Sequence, residues 1–137
     1  MACNTGVDTM SLAPIPSRML HDKVVFHVAQ YMDRYQNKVY EDYTVNNVHL
    51  QSVSDTLKRA NDTEVQLKGI LFIDGRKSTP QIDLYELQRR SLEIGDTIRA
   101  TVYDATDNVV DDFAVIEVDG EPDVPATRLH HWEVSLI

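Results

Sequence analysis

Apolar and polar positions alternate along the final stretch of the chain, where Trp132, Val134 and Leu136 are separated by Glu133 and Ser135. That period of two is the signature of a strand with one buried face. A strand at a chain end closes a sheet built earlier, so the preceding five apolar runs read as the sheet that this strand completes. Trp132, the single tryptophan, is expected to plug the core, and its truncation to Ala to cost about 3–5 kcal/mol.

The other runs follow in order. A first strand is predicted over Val24–Met32, with Val24, Phe26, Val28 and Met32 on one parity, then a turn over 33–38 and a second strand over Val39–Leu50. Within the second strand Tyr43 and Val45 have odd parity while Val48 and Leu50 have even. The switch across Asn46-Asn47 reads as a β-bulge that bends the strand around a barrel corner. Residues 51–63 are polar and break the alternation, which predicts a loop or a short helical turn. Val65, Leu67, Gly69, Leu71 and Ile73 mark one face of a third strand, whose second half also carries Ile70 and Phe72 and is expected to be covered on both sides. Gly69 inside it points to a bend or a close approach. After the turn residues 74–80, Leu84, Leu87 and Gln88 fall at helical spacing, so 81–92 should hold one or two helical turns. A turn at Glu93-Ile94-Gly95-Asp96 launches a strand over Thr97–Tyr103 with Ile98, Ala100 and Val102 inward. Asp104–Asp112 reads as a polar excursion, Phe113–Asp119 as strand five and Gly120–Pro125 as a turn before the closing strand near Arg128.

Six strands with little helix predict an all-β fold. The bulge, the interior glycine and the unequal strand lengths favour a small, mostly antiparallel β-barrel of about six strands over a sandwich. The barrel is assigned to residues 18–137 and an extended N-terminal arm to 1–17, with the stiff Pro14-Ile15-Pro16 as its spacer. Such an arm is expected to be disordered in the free monomer and ordered in an assembly.

At 137 residues the chain suits one domain. Its single cysteine, Cys3, rules out an internal disulfide. No run approaches the ~20 apolar residues of a membrane span, so a soluble chain without a recognisable export signal is expected. The net charge of −9 is uneven: between Asp104 and Thr127 there are eight acids and no Lys or Arg. Such a block is the wrong sign for gripping phosphates. It reads either as a solvated acidic face or as a face that repels DNA or meets a basic partner.

His130-His131 raises the question of a metal, with His21, His27 or His49 as further ligands. Neighbours in a regular strand point to opposite faces, so the pair should not share one ion, and neither a metal nor a cofactor is expected. No nucleophile elbow, phosphate-cradling glycine loop or activated thiol is present in the sequence, and no enzyme is expected. The aromatic set Phe26, Tyr31, Tyr35, Tyr40 and Tyr43 could stack bases in a monomeric barrel that binds a ligand or single-stranded nucleic acid, although only Arg34 and Lys38 accompany it.

Taken together, four stretches resemble the minor capsid proteins of tailed bacteriophages: Pro14-Ile15-Pro16, Val65-Gln66-Leu67-Lys68-Gly69-Ile70-Leu71-Phe72-Ile73-Asp74, Glu93-Ile94-Gly95-Asp96-Thr97-Ile98 and Arg128-Leu129-His130-His131-Trp132-Glu133-Val134. The chain departs from that pattern with Ile73 and Trp132 in place of tyrosines and with a longer segment between Pro80 and Gly95. The resemblance implies a head-closure, or stopper, protein of the phage neck, assembled in the host cytoplasm and resident in the virion. Its partners would be a homo-oligomeric ring of six or twelve subunits, a portal or adaptor ring on the head side, and a tail-completion or tail-tube protein on the other. Double-stranded DNA would pass through the channel without sequence-specific binding, and no membrane is involved.

In such proteins a loop after the second strand projects into the channel and blocks DNA exit. Here that position falls on Gln51–Thr63, and the resemblance implies Ser52, Asp55, Lys58, Arg59, Asn61 and Asp62 as its polar lining, with Lys58 and Arg59 facing phosphates. The alternative is an ordinary surface loop leaning on the neighbouring ring.

Overall fold

The computed structural model describes residues 15–58, 64–123 and 128–137, with the backbone alone at 55, 57 and 58. Its six strands are β1 (Asp22–Met32), β2 (Lys38–Lys58), β3 (Glu64–Asp74), β4 (Arg99–Tyr103), β5 (Val109–Pro122) and β6 (Leu129–Leu136), with one α-helix, α1 (Leu84–Ile94). They close into a barrel in the order β1-β2-β3-β6-β5-β4. Every neighbouring pair, including the closing pair of β4 with β1, is antiparallel. The expected all-β barrel is therefore the fold.

The inward parities follow the sequence pattern. Val24, Phe26 and Val28 from β1, Leu71 and Ile73 from β3, Ala100 and Val102 from β4, and Trp132, Val134 and Leu136 from β6 all enter one core. Met32 does not. A register shift between Ala29 and Tyr31 inserts an extra residue, which buries Val28 and Ala29 in succession and carries the strand end out to solvent.

The bulge expected in β2 is present. Asn47 adopts φ 60°, and the register steps from Asp22 opposite Val48 to Lys23 opposite Asn46. This lets Val45 and Val48, of opposite parity, both reach the core. The kink is pinned from outside: Asn46 N–H donates to the Thr79 carbonyl at 2.7 Å, Asn47 Nδ2 to the Lys77 carbonyl at 3.1 Å, and the Ser78 hydroxyl to the Asn47 carbonyl.

The helix, strand five and the outer face of β3 differ from expectation. The helix runs 11 residues rather than one or two turns. Asp83 caps its start by accepting from Glu86 N–H, and Gly95 ends it in the left-handed conformation at φ 75°. Leu84 and Leu87 enter the core as their spacing implied. Strand five begins at Val109 and continues through Gly120 to Pro122; its exposed first residues bury no face, so they leave no alternation to read. The outer face of β3 is only half covered, with Ile70 and Phe72 both of intermediate exposure. Gly69 makes the close approach expected of it, since a Cβ there would lie 3.0 Å from Leu50 Cδ1 and 3.3 Å from the Gln51 carbonyl.

The arm boundary lies at a short 3₁₀ turn, Ser17–Met19, followed by the buried Leu20. Lys77 Nζ donates to the Ile15 carbonyl at 2.7 Å, so residue 15 already touches the barrel. Pro16 is exposed and Pro14 lies outside the described residues.

Trp132 is 6% exposed and meets Tyr85 of α1 edge to face at 4.8 Å. Gly120 sits directly opposite it on β5. A Cβ at Gly120 would lie 3.0 Å from the indole and 3.2 Å from the Tyr85 hydroxyl oxygen, and its N–H donates to that oxygen at 2.7 Å. The strand that was expected to be a turn is thus the wall that makes room for the tryptophan. Trp132→Ala should destabilise the fold by about 3–5 kcal/mol and Gly120→Ala by about 1–3 kcal/mol through overpacking. Urea unfolding followed by circular dichroism measures both.

Candidate functional site

Beyond Val48, β2 no longer pairs with β1, and β3 pairs with β6 only from Gly69 onward. Residues 53–58 of β2 and 64–68 of β3 therefore pair only with each other, through Asp55 opposite Leu67, Thr56 opposite Gln66, Leu57 opposite Val65 and Lys58 opposite Glu64. They form a two-stranded ribbon that leaves the barrel rim and, at roughly 3.3 Å per residue, reaches on the order of 20 Å beyond it. A bulge between Ser52 and Asp55 marks its root; bulges raise the local twist and turn a ribbon away from its sheet.

The expected loop at Gln51–Thr63 is corrected by this ribbon, because Gln51–Lys58 is strand. Ser52, Asp55 and Lys58 lie on β2, while Arg59, Asn61 and Asp62 lie outside the described residues. Among the described side chains of the ribbon, Ser52, Ser54, Thr56, Glu64, Gln66 and Lys68 are exposed, Val53 and Val65 are half-buried, and Leu67 at the root is buried. On the β3 arm the alternation of Val65 and Leu67 with exposed polar residues survives, whereas from Gln51 to Lys58 only Val53 and Leu57 interrupt a polar run, too thin a pattern to read as a strand although the backbone ladder persists.

A bare two-stranded ribbon is marginal by itself, and this one has two backbone edges that meet no third strand among the described residues. Such edges are ready to pair with another chain. The ribbon is also the electrostatically neutral part of an acidic chain. Residues 51–68 carry Asp55, Asp62 and Glu64 against Lys58, Arg59 and Lys68, so the whole net charge of −9 lies elsewhere.

The acidic block does not form one solvated face. Asp123 is 3% exposed and pairs with Arg76 at 3.0 Å and Arg128 at 3.6 Å. Asp107 meets Lys23 at 3.1 Å. Asp104 folds the β4–β5 turn: the Thr106 hydroxyl and the N–H groups of Asn108 and Thr106 donate to it and hold its carboxyl below the ordinary range. Asp112 ends a polar ladder across four strands, in which the Thr101 hydroxyl donates to Asp112, His27 Nε2 meets Thr101 at 3.0 Å and His27 Nδ1 meets Asp42 at 2.6 Å. The ladder lies across the barrel wall. It depends on strand register, so no motif in the sequence announced it.

His130 and His131 do not take opposite faces. A bulge between Leu129 and His131 on β6 breaks the alternation and brings the two Nδ1 atoms to 2.8 Å. Of the five aromatics weighed for base stacking, Phe26 is core and Tyr43 packs against it, leaving Tyr31, Tyr35 and Tyr40 exposed. Lys38 is engaged by Asp96 at 3.2 Å. Burial alone would raise the Asp96 carboxyl, but bonds from Thr97 N–H, Lys38 and Tyr40 outweigh it and leave it lowered. Beside Asp96 a cleft of about 160 Å³, lined also by Ser91, Ile98, Val115 and Ile137, is smaller than the roughly 300–1,000 Å³ of small-molecule sites.

Asp119, Glu121 and Glu133 gather on the β5–β6 surface, and Asp119 foremost, by hydrogen bond and by repulsion, raises the Glu121 carboxyl above its ordinary range. A carboxyl raised in the folded state favours folding below its unfolded pKa and loses that contribution as pH rises through the folded value. Glu121→Gln should therefore raise the melting temperature slightly at pH 7, with the difference shrinking on acidification below the carboxylate range. Thermal melts of both proteins across that range check the sign.

In comparisons with protein-family models, curated proteins and solved structures, nothing matches this chain.

Proposed function

We propose that the protein is a structural subunit of a tailed-bacteriophage neck, forming a homo-oligomeric ring in the head–tail connector. The ring continues the DNA channel, retains packaged DNA and attaches the tail. The observation that carries this reading is the ribbon: a closed barrel has no edges of its own to offer, yet this one extends a polar, charge-balanced hairpin from its rim. The hairpin stands where the resemblance to phage minor capsid proteins puts the channel-blocking element. Its free edges suit pairing with a neighbouring subunit, and its neutrality in an acidic chain lets DNA approach without strong repulsion or drag. The portal or adaptor ring on the head side and a tail-completion or tail-tube protein on the other are the partners, and the virion neck is the location.

Replacing residues 53–68 with an Asn-Gly turn joins Ser52 to Gly69, which already pair, through a two-residue hairpin. The shortened chain should fold with a melting temperature close to the parent's and still co-sediment with portal complexes, while tailless heads carrying it leak DNA. Heads that retain their DNA would remove the gate. A parent chain that neither forms rings with portal complexes nor buries about 800 Å² per subunit contact would remove the neck assignment.

A further inference from the structure

We propose that His21, Asp22 and His49 form a binding site for a divalent transition-metal ion of the zinc type, which staples the start of β1 to the middle of β2. This inference is independent of the neck reading. His21 is the last residue before β1 and Asp22 its first, while His49 follows Val48, the β2 partner of Asp22. One ligand atom from each of the three lies within 4.8 Å of the others. Tetrahedral zinc, bound to nitrogen and oxygen at about 2.0–2.2 Å, needs ligand atoms roughly 3.3 Å apart. His21 Nδ1 and Asp22 Oδ1 already stand at 3.0 Å, and the exposed His21 ring is free to adjust.

A second observation comes from His49. Its Nδ1 is buried with no hydrogen-bond partner among the described residues, and an unsatisfied buried nitrogen is costly unless something coordinates it. Asp22 is equally poised. Its side chain is 9% exposed, and no lysine or arginine among the described residues pairs with it; a buried carboxylate without a cation is unusual. Its other oxygen, Oδ2, accepts from Leu50 N–H at 3.0 Å, which fixes the carboxylate as outer-sphere contacts do at metal sites. The His49 ring is held by Phe72, stacked at 6.1 Å with an interplanar angle of 26°. Two imidazoles and one carboxylate select zinc, cobalt, nickel or copper over calcium and magnesium. Three protein ligands leave a fourth position for water on the exposed His21 side.

The probe is zinc chloride added to the full chain after chelator treatment and dialysis. Calorimetry should show one strong equivalent per chain, with a raised melting temperature. His21→Ala, at a side chain that is 55% exposed, and His49→Gln should each weaken binding by at least about tenfold. Cys3→Ser and the double variant His130→Ala/His131→Ala should bind as the parent does. Absence of a strong equivalent in the parent overturns the proposal. So does full affinity in the His21 or His49 variant, or loss of binding in either control, which would place the ion elsewhere.

Discussion

Closure of the sheet is the constraint on which the rest of the molecule depends. A barrel of six strands has an interior that only side chains can fill, and the last strand must find both neighbours, β3 on one side and β5 on the other. Trp132 occupies the point where β6, β5 and α1 converge, with Gly120 cleared in front of it and Tyr85 against its face. The indole contributes large apolar burial, while the Tyr85 hydroxyl satisfies the Gly120 amide that the packing brings close. Burial and hydrogen bonding are thus met by one arrangement.

Strands of unequal length cannot wrap such a core without local insertions. Extra residues occur in β1 near Gln30, in β2 at Asn47 and again beyond Ser52, in β5 near Ile116 and in β6 at His130. Each reverses the parity of the strand that follows. The consequences reach the candidate sites: the Asn47 bulge bends β2 just before His49, the shift beyond Ser52 releases the ribbon from the wall, and the His130 bulge brings two histidines together. Surface chemistry here is largely a by-product of where the barrel had to turn.

Charge follows a similar economy. The block of acids in the second half of the chain is divided among ion pairs, of which that of Asp123 has a buried carboxylate, turn caps and a small repulsive cluster at Glu121. What projects from the barrel is balanced in sign.

By itself the sequence determined which faces are buried. Val24, Phe26 and Val28, then Leu71 and Ile73, Ala100 and Val102, and Trp132, Val134 and Leu136 alternate because one side of each strand meets the core, and that side must be apolar. The parity switch at Asn46-Asn47 was legible for the same reason, as apolar residues flank it on both sides. Only the tertiary structure decided how far β2 runs past Leu50, that Gly120 is wall rather than turn, and that His21, Asp22 and His49 meet. Backbone pairing without burial leaves no alternation to read, and contacts between residues on different strands depend on register, which bulges reset one residue at a time.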